Sequence, residues 1–191
     1  DTMHNRDMFL VIDFGSQFSQ GITRRVRELG VYSEMYSYRL SLDKIKELNP
    51  KGIILSSGPQ SVLDERMLQP AEGVFDLGIP ILGIGYGMQL ITSHFGGQVD
   101  RISKVAQGKA VMTVTDASDL LKNTSDTQTV WLDHGDQVTE IPAGFNVQAT
   151  SENVVMAMSH SDKKMYGVQF HPEVKHTTYG TDILKNFLYQ H

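Results

Sequence analysis

Ile79-Pro80-Ile81-Leu82-Gly83-Ile84-Gly85-Tyr86-Gly87-Met88-Gln89 is the stretch that decides how this chain folds. Its first part, Ile79 to Ile84, is a short apolar run, as expected of a strand buried on both faces of a parallel sheet. From Tyr86 to Phe95 the pattern turns helical, and Gly96-Gly97 ends it. A strand that passes into a helix within two residues must turn sharply. Such a turn presents one side chain above the sheet edge with backbone N–H groups beside it, the geometry of a nucleophile elbow. Gly83 and Gly87 permit the tight crossing, and position 85, midway between them, is where a nucleophile would project. Here it is glycine. A glycine-rich turn in any α/β protein gives the same pattern, whereas a dinucleotide fingerprint needs a third glycine at position 88, where Met stands.

Upstream of this turn, strands alternate with helices. Met8 to Asp13 (MFLVID) reads as a buried strand, followed by the loop FGSQ and a helix from Phe18 with Ile22, Val26 and Leu29 on one face and Gly30 at its end. Val31 to Tyr36 reads as a second strand. Ser41 caps a short helix to Leu48 that Asn49-Pro50 must stop, and Gly52 to Leu55 is a third strand. The loop Ser56 to Ser61 then leads into a mixed helical stretch through Leu77. Downstream the texture changes to short strands between polar turns: Val99 to Ile102, Ala110 to Thr115, Thr129 to Leu132, Val147 to Thr150, Val154 to Met158 and Met165 to Phe170. Thr181 caps a last helix carrying Ile183, Leu184, Phe187 and Leu188. The expected fold is therefore α/β: an open, mainly parallel sheet with helices on both faces and an antiparallel extension. Residues 8–191 form one domain in this reading, and residues 1–7 a flexible N-terminal segment.

Composition narrows the function classes. The 191 residues carry a formal net charge of −5 with 17 Lys+Arg spread along the chain, so no basic field awaits nucleic acid. No apolar stretch approaches the roughly 20 residues of a membrane span, and the polar start lacks the apolar core of a signal peptide, which leads us to expect a cytoplasmic protein. The chain has no cysteine, which removes disulfides, thiolate metal sites and thiol nucleophiles together.

Three other segments can carry chemistry. Gly167-Val168-Gln169-Phe170-His171-Pro172-Glu173-Val174 places a histidine two residues before a carboxylate. In extended structure such residues share a face, so Glu173 can orient the His171 ring as a general base requires. A surface histidine beside an unrelated glutamate gives the same sequence. A metal site is not expected, because Pro172 disfavours a helix that would gather His176 as well and no HExxH spacing is present. Ser57-Gly58-Pro59 follows the third strand and so lies at the sheet's carboxyl edge, where ligands of open α/β sheets bind; the Gly58 N–H can serve as an oxyanion donor. His134-Gly135-Asp136 reads as a loop offering backbone and carboxylate contacts to a polar ligand.

The order S-G-P, G-x-G-Y-G-M-Q, H-G-D, G-V-Q-F-H-P-E-V resembles that of class I (triad) glutamine amidotransferases over nearly the whole chain. Within that family, F-G-S-Q after the first strand, R-R-V-R-E-L-G-V-Y from Arg24 to Tyr32 and the G-V-Q-F-H-P-E-V segment look most like the amidotransferase part of GMP synthases. The resemblance implies a flavodoxin-like sheet and a glutaminase in which an elbow cysteine attacks the side-chain amide of glutamine, giving a glutamyl thioester and ammonia. Carried over residue by residue, Gly85 occupies the cysteine position, His171 is the base and acid, and Glu173 its orienter. The N–H groups of Gly58 and Tyr86 form the oxyanion hole, and Gln89, His134, Gly135, Asp136 and Gln137 line the glutamine site. No cofactor is implied in this domain. The implied partner is an ATP-pyrophosphatase domain or subunit, with ATP and Mg, that aminates XMP to GMP. With glycine at position 85 the covalent step lacks its attacking atom, so this copy is expected to be inactive as a glutaminase. Two alternatives stay open: a catalytically silent glutamine-binding or regulatory module, and an amidotransferase serving carbamoyl phosphate or anthranilate synthase.

Overall fold

A computed structural model describes residues 7–189 of the chain. The segment expected to be flexible, 1–7, lies outside them apart from Asp7, whose carboxylate pairs with Lys51 at 3.3 Å. In chain order the elements are β1 (Met8–Asp13), α1 (Ser19–Glu28), β2 (Tyr32–Ser37), α2 (Leu42–Leu48), β3 (Gly52–Leu55), β4 (Ile81–Ile84), α3 (Tyr86–His94), β5 (Gln98–Val114), β6 (Thr127–Glu140), β7 (Asn146–Ser151), β8 (Val154–His160), β9 (Met165–Val168) and α4 (Gly180–Tyr189).

All nine strands form one sheet in the order β2-β1-β3-β4-β9-β8-β7-β5-β6. The first five are parallel to one another. From β9 outward every pairing is antiparallel. Four antiparallel strands thus extend a five-stranded parallel part, giving the mixed sheet of the expected α/β fold. Both faces of β1 are buried because alternate residues serve different cores. Phe9 and Val11 pack with Ile22 and Val26 of α1 and with Ile183, Leu184 and Phe187 of α4. Leu10 and Ile12 pack on the other face with Ile45 of α2 and Leu90 and Ile91 of α3. That two-sided burial is why these strands read as continuous apolar runs.

The local signals of the first half hold at the helix ends. Ser41 accepts from the Lys44 N–H at 3.2 Å as the N-cap of α2, and Asn49 closes that helix in the left-handed region at φ 48°. Four expectations fail. The stretch after Ser61 carries turns and a single 3-10 turn at Val74–Asp76, not a mixed helical run. Pro70 cannot donate within a helix and Gly73 sits at φ 93°, while Met67, Leu68, Ala71 and Phe75 still pack onto the core as an irregular cover. Thr181 lies inside α4, which begins at Gly180, so it is not the cap. Val99 to Ile102 and Ala110 to Thr115 belong to one 17-residue strand, β5, interrupted by a register shift between Arg101 and Ala106. His134-Gly135-Asp136 is not a loop, because β6 runs straight through it.

Candidate active site

The β4-to-α3 turn is as sharp as its glycines suggest. A Cβ on Gly83 would strike the Gly87 carbonyl and come within 2.6 Å of the Met88 nitrogen, so strand and helix cross at backbone contact. Gly85 sits at φ 59°, ψ −111°, a conformation that side-chain-bearing residues adopt only under strain. Its N–H donates to the Val168 carbonyl at 2.8 Å, tying the elbow to the end of β9. A Cβ built at position 85 would lie 3.1 Å from Ser57 Cβ and 4.0 Å from the Gln169 carbonyl oxygen. A side chain there therefore projects between the loop after β3 and the segment after β9. Tyr86 is the first residue of α3, so its N–H has no intrahelical acceptor and points from the helix's positive end. Its phenol is occupied elsewhere, donating to the Leu68 carbonyl at 2.5 Å, and burial pushes its pKa up to about 12.

His171 and Glu173 meet as the sequence suggests, though for a different reason. The strand ends at Val168, two residues short of the expected Phe170, a bend follows at Gln169-Phe170, and Pro172-Glu173 lies in a turn just beyond His171. The turn at Pro172, not strand alternation, brings the pair together. His171 Nδ1 is 3.0 Å from Glu173 Oε2, both side chains are buried, and the Phe18 ring lies against the imidazole with centroids 4.2 Å apart. The backbone here is strapped to β6: the His171 N–H donates to the Trp131 carbonyl at 2.9 Å, and Thr177 Oγ1 donates to the His171 carbonyl at 2.6 Å. Arg25 on α1 donates to the Glu173 carbonyl at 3.3 Å. Backbone on both sides of the dyad is therefore fixed, which limits the imidazole to small motions about its own torsions.

These groups surround a cleft of about 690 Å³ at the carboxyl edge of β1, β3 and β4. Gly58, Tyr86, Gln89, His134, Gly135, Asp136 and His171 line it. Gly85 and Glu173 stand behind that lining, the first beneath Ser57 and the second behind the imidazole. Gln137 does not line it: the cleft wall on β6 runs from Asp133 to Asp136, residues of both phases of the strand, and stops one residue short of Gln137. Gln89 Nε2 donates to the Asp136 carbonyl at 3.1 Å, and Ser61 Oγ donates to Asp136 Oδ2 at 2.5 Å, so α3, β6 and the loop after β3 are joined across the cleft floor. His134 is buried, and that burial is the chief cause of a pKa pushed down to about 4. Asp133 and Asp136 oppose the shift and the nearby His171 adds to it. At neutral pH His134 is therefore an uncharged imidazole. Among the described residues no group of His, Asp and Glu side chains is arranged to hold a metal ion. Among them, too, no helix is long and apolar enough to cross a membrane.

The chain matches the profile of the Glutamine amidotransferase class-I family over residues 10–191. It belongs to that family. It is 53% identical over 188 residues to a GMP synthase (glutamine-hydrolyzing) of Oceanobacillus iheyensis, covering 98% of this chain and 37% of that protein. The corresponding protein of Bacillus subtilis is 53% identical over 184 residues, covering 96% and 36%. The amidotransferase domain thus spans little more than a third of the length of these curated relatives. Among solved structures, a Thermoplasma acidophilum protein provisionally described as one subunit of a GMP synthase superposes with a TM-score of 0.86 at 31% identity, covering 96% of this chain and 92% of that one. A glutamine amidotransferase of Thermotoga maritima shares the fold at a TM-score of 0.74 and 17% identity, over 97% of both chains. The domain is accordingly homologous to the amidotransferase region of GMP synthases.

Sequence reasoning missed part of this domain's cleft wall. Ser16, Gln17 and Phe18 line it, as do Ser61 and Arg101. The FGSQ loop follows β1 as the Ser57-Gly58-Pro59 loop follows β3, so the same carboxyl-edge rule was available for it. Nothing local marks Arg101 or Ser61, which reach the cleft only because β5 pairs with β6 and the loop after β3 folds over Asp136.

Proposed function

We propose that this domain binds L-glutamine in the cleft and, in its family's chemistry, belongs to the glutaminase part of a GMP synthase. The supporting observation is the elbow itself: a residue at φ 59°, ψ −111°, at the mouth of a helix, with the buried His171–Glu173 pair on the neighbouring strand exit. In the reaction the family performs, the elbow cysteine's sulfur bonds to the glutamine amide carbon and the C–N bond breaks. His171 takes the thiol proton and delivers it to the departing ammonia, and Glu173 holds the imidazole through Nδ1. The N–H groups of Gly58 and Tyr86 receive the oxyanion. Gln89, His134, Gly135 and Asp136 hold the amino-acid end. Gln137 does not line the cleft and is left out of this assignment.

In this chain Gly85 supplies no attacking atom. Removing the nucleophile of a triad costs on the order of 10⁶ in kcat, so binding without turnover is the expected behaviour. The ammonia would serve an ATP-pyrophosphatase domain or subunit, using ATP and Mg to activate XMP, and the relatives' additional length leaves room for such a partner. The glycine also favours a second reading, a silent glutamine-binding module that regulates a synthetase. Gly85→Cys separates the two. Glutaminase activity restored by that single change, assayed with the synthetase partner present, supports the enzyme reading, whereas a Gly85→Cys protein that binds glutamine and releases no ammonia supports the regulatory one. Failure of the present chain to take up millimolar glutamine by calorimetry would overturn both.

A further inference from the structure

Gln89 stands one turn beyond the elbow, and its side-chain amide touches both β6 and the segment after β9. Nε2 donates to the Asp136 carbonyl at 3.1 Å and to Gln169 Oε1 at 3.3 Å. A primary amide has two N–H donors, so both are taken. The Asp136 carbonyl can only accept, which fixes the end of Gln89 that is nitrogen, and with nitrogen there Gln169 must present its own oxygen. Gln89 lines the cleft, and its carbonyl has no hydrogen-bond partner among the described residues. What Gln89 offers a ligand is therefore an acceptor.

Gln169 is 1% exposed and is not part of the cleft lining. Its Nε2 is buried without a hydrogen-bond partner among the described residues. An unpaired buried amide donor destabilises a fold, and an apolar side chain of similar length would fill the same space without that cost. Packing alone does not account for glutamine at this position, whereas its acceptor oxygen has a definite use.

We infer that Gln169 is a positioning residue for the ligand site: by accepting the second Gln89 N–H it anchors the amide orientation that the Asp136 carbonyl sets, and so keeps the Gln89 carbonyl toward the cleft, where it accepts from the ligand's α-ammonium group. The inference rests on the proposed glutamine reading. Once the Gln169 oxygen is removed, the Gln89 amide keeps only its bond to the Asp136 carbonyl, about which it can swing, and its own carbonyl is no longer held on the ligand's ammonium group.

The test is selectivity rather than affinity. The protein is titrated calorimetrically with L-glutamine and with 4-carbamoylbutanoate, the same molecule without its amino group. We expect Gln169→Met to narrow the preference for L-glutamine on the order of tenfold, the scale of a lost hydrogen bond to a charged group, and to leave 4-carbamoylbutanoate within about twofold. Gln169→Glu keeps an acceptor oxygen at the same reach and should keep the preference. Should Gln169→Met not fold, Gln169→Asn carries the same expectation, because its amide is one carbon too short to reach Gln89. Equal weakening of both ligands, or an unchanged ratio, overturns the inference while the glutamine site stands. If the parent protein binds neither ligand, the glutamine reading fails and takes the inference with it.

Discussion

The parallel and antiparallel halves of the sheet build the same cleft by different means. In the parallel half, β3 and β4 are four residues each, buried on both faces, and they fix backbone: the elbow at Gly85 and the loop at Gly58 are held because the strands beneath them cannot move. In the antiparallel half, β5 and β6 run 17 and 14 residues; β6 buries alternate positions, while β5 buries only Val99 and Met112. Here the contribution is side chains, with Asp133, His134 and Asp136 of β6 and Arg101 of β5 all at the cleft wall. A two-sided core fixes backbone, whereas the long paired strands supply side chains.

The largest expected effect lies at the seam between the halves. In a Gly85→Cys background with restored turnover, Glu173→Ala should lower kcat by on the order of 10³, because the His171 ring loses the group that fixes its tautomer. Steady-state ammonia release measures this, and a loss below tenfold would show that the strap to β6 alone orients the ring. Next comes backbone rigidity in the parallel half. A Cβ on Gly87 would strike the Leu55 carbonyl and lie 2.8 Å from Leu55 Cβ, so Gly87→Ala should destabilise the fold by about 3 kcal/mol. Gly135→Ala in the antiparallel half meets only a Val105 methyl at 3.8 Å and should stay within about 0.5 kcal/mol. Urea unfolding of both variants would break the comparison if they came out equal.

A third prediction concerns His134. Its folded pKa of about 4 lies below the ordinary 6.5, so as pH falls through that window the unfolded chain takes up a proton that the folded chain refuses. Stability is therefore whole above about pH 6.5 and declines toward pH 4, by about 2 to 3 kcal/mol from this group. His134→Leu should remove that part of the slope, and parallel pH–stability curves for parent and variant would refute the assignment. The smallest effect is expected at the cleft mouth. Arg101 pairs with Asp64 at 3.0 Å between largely exposed side chains, and Arg101→Ala should change stability by less than about 0.5 kcal/mol, checked by thermal unfolding.

The sequence by itself determined the parallel strands β1 to β4, the capped α2, the elbow between Gly83 and Gly87, and the pairing of His171 with Glu173, whereas β9, read as part of the antiparallel extension, joins the parallel part beside β4. Each of these is encoded within a few consecutive residues: an apolar run long enough to be buried twice, a serine three positions before the amide it caps, a glycine where strand and helix touch. Tertiary structure alone decided the rest. Whether His134-Gly135-Asp136 was loop or strand depended on β5 pairing across it, and Ser61 and Arg101 became cleft residues only when distant chain folded beside them. Gln169 shows the limit most plainly, since its meaning lies in Gln89, 80 residues away. A side chain's propensity and periodicity are local properties, but its hydrogen-bond partner is fixed by which elements become neighbours, and that is settled by packing of the whole sheet.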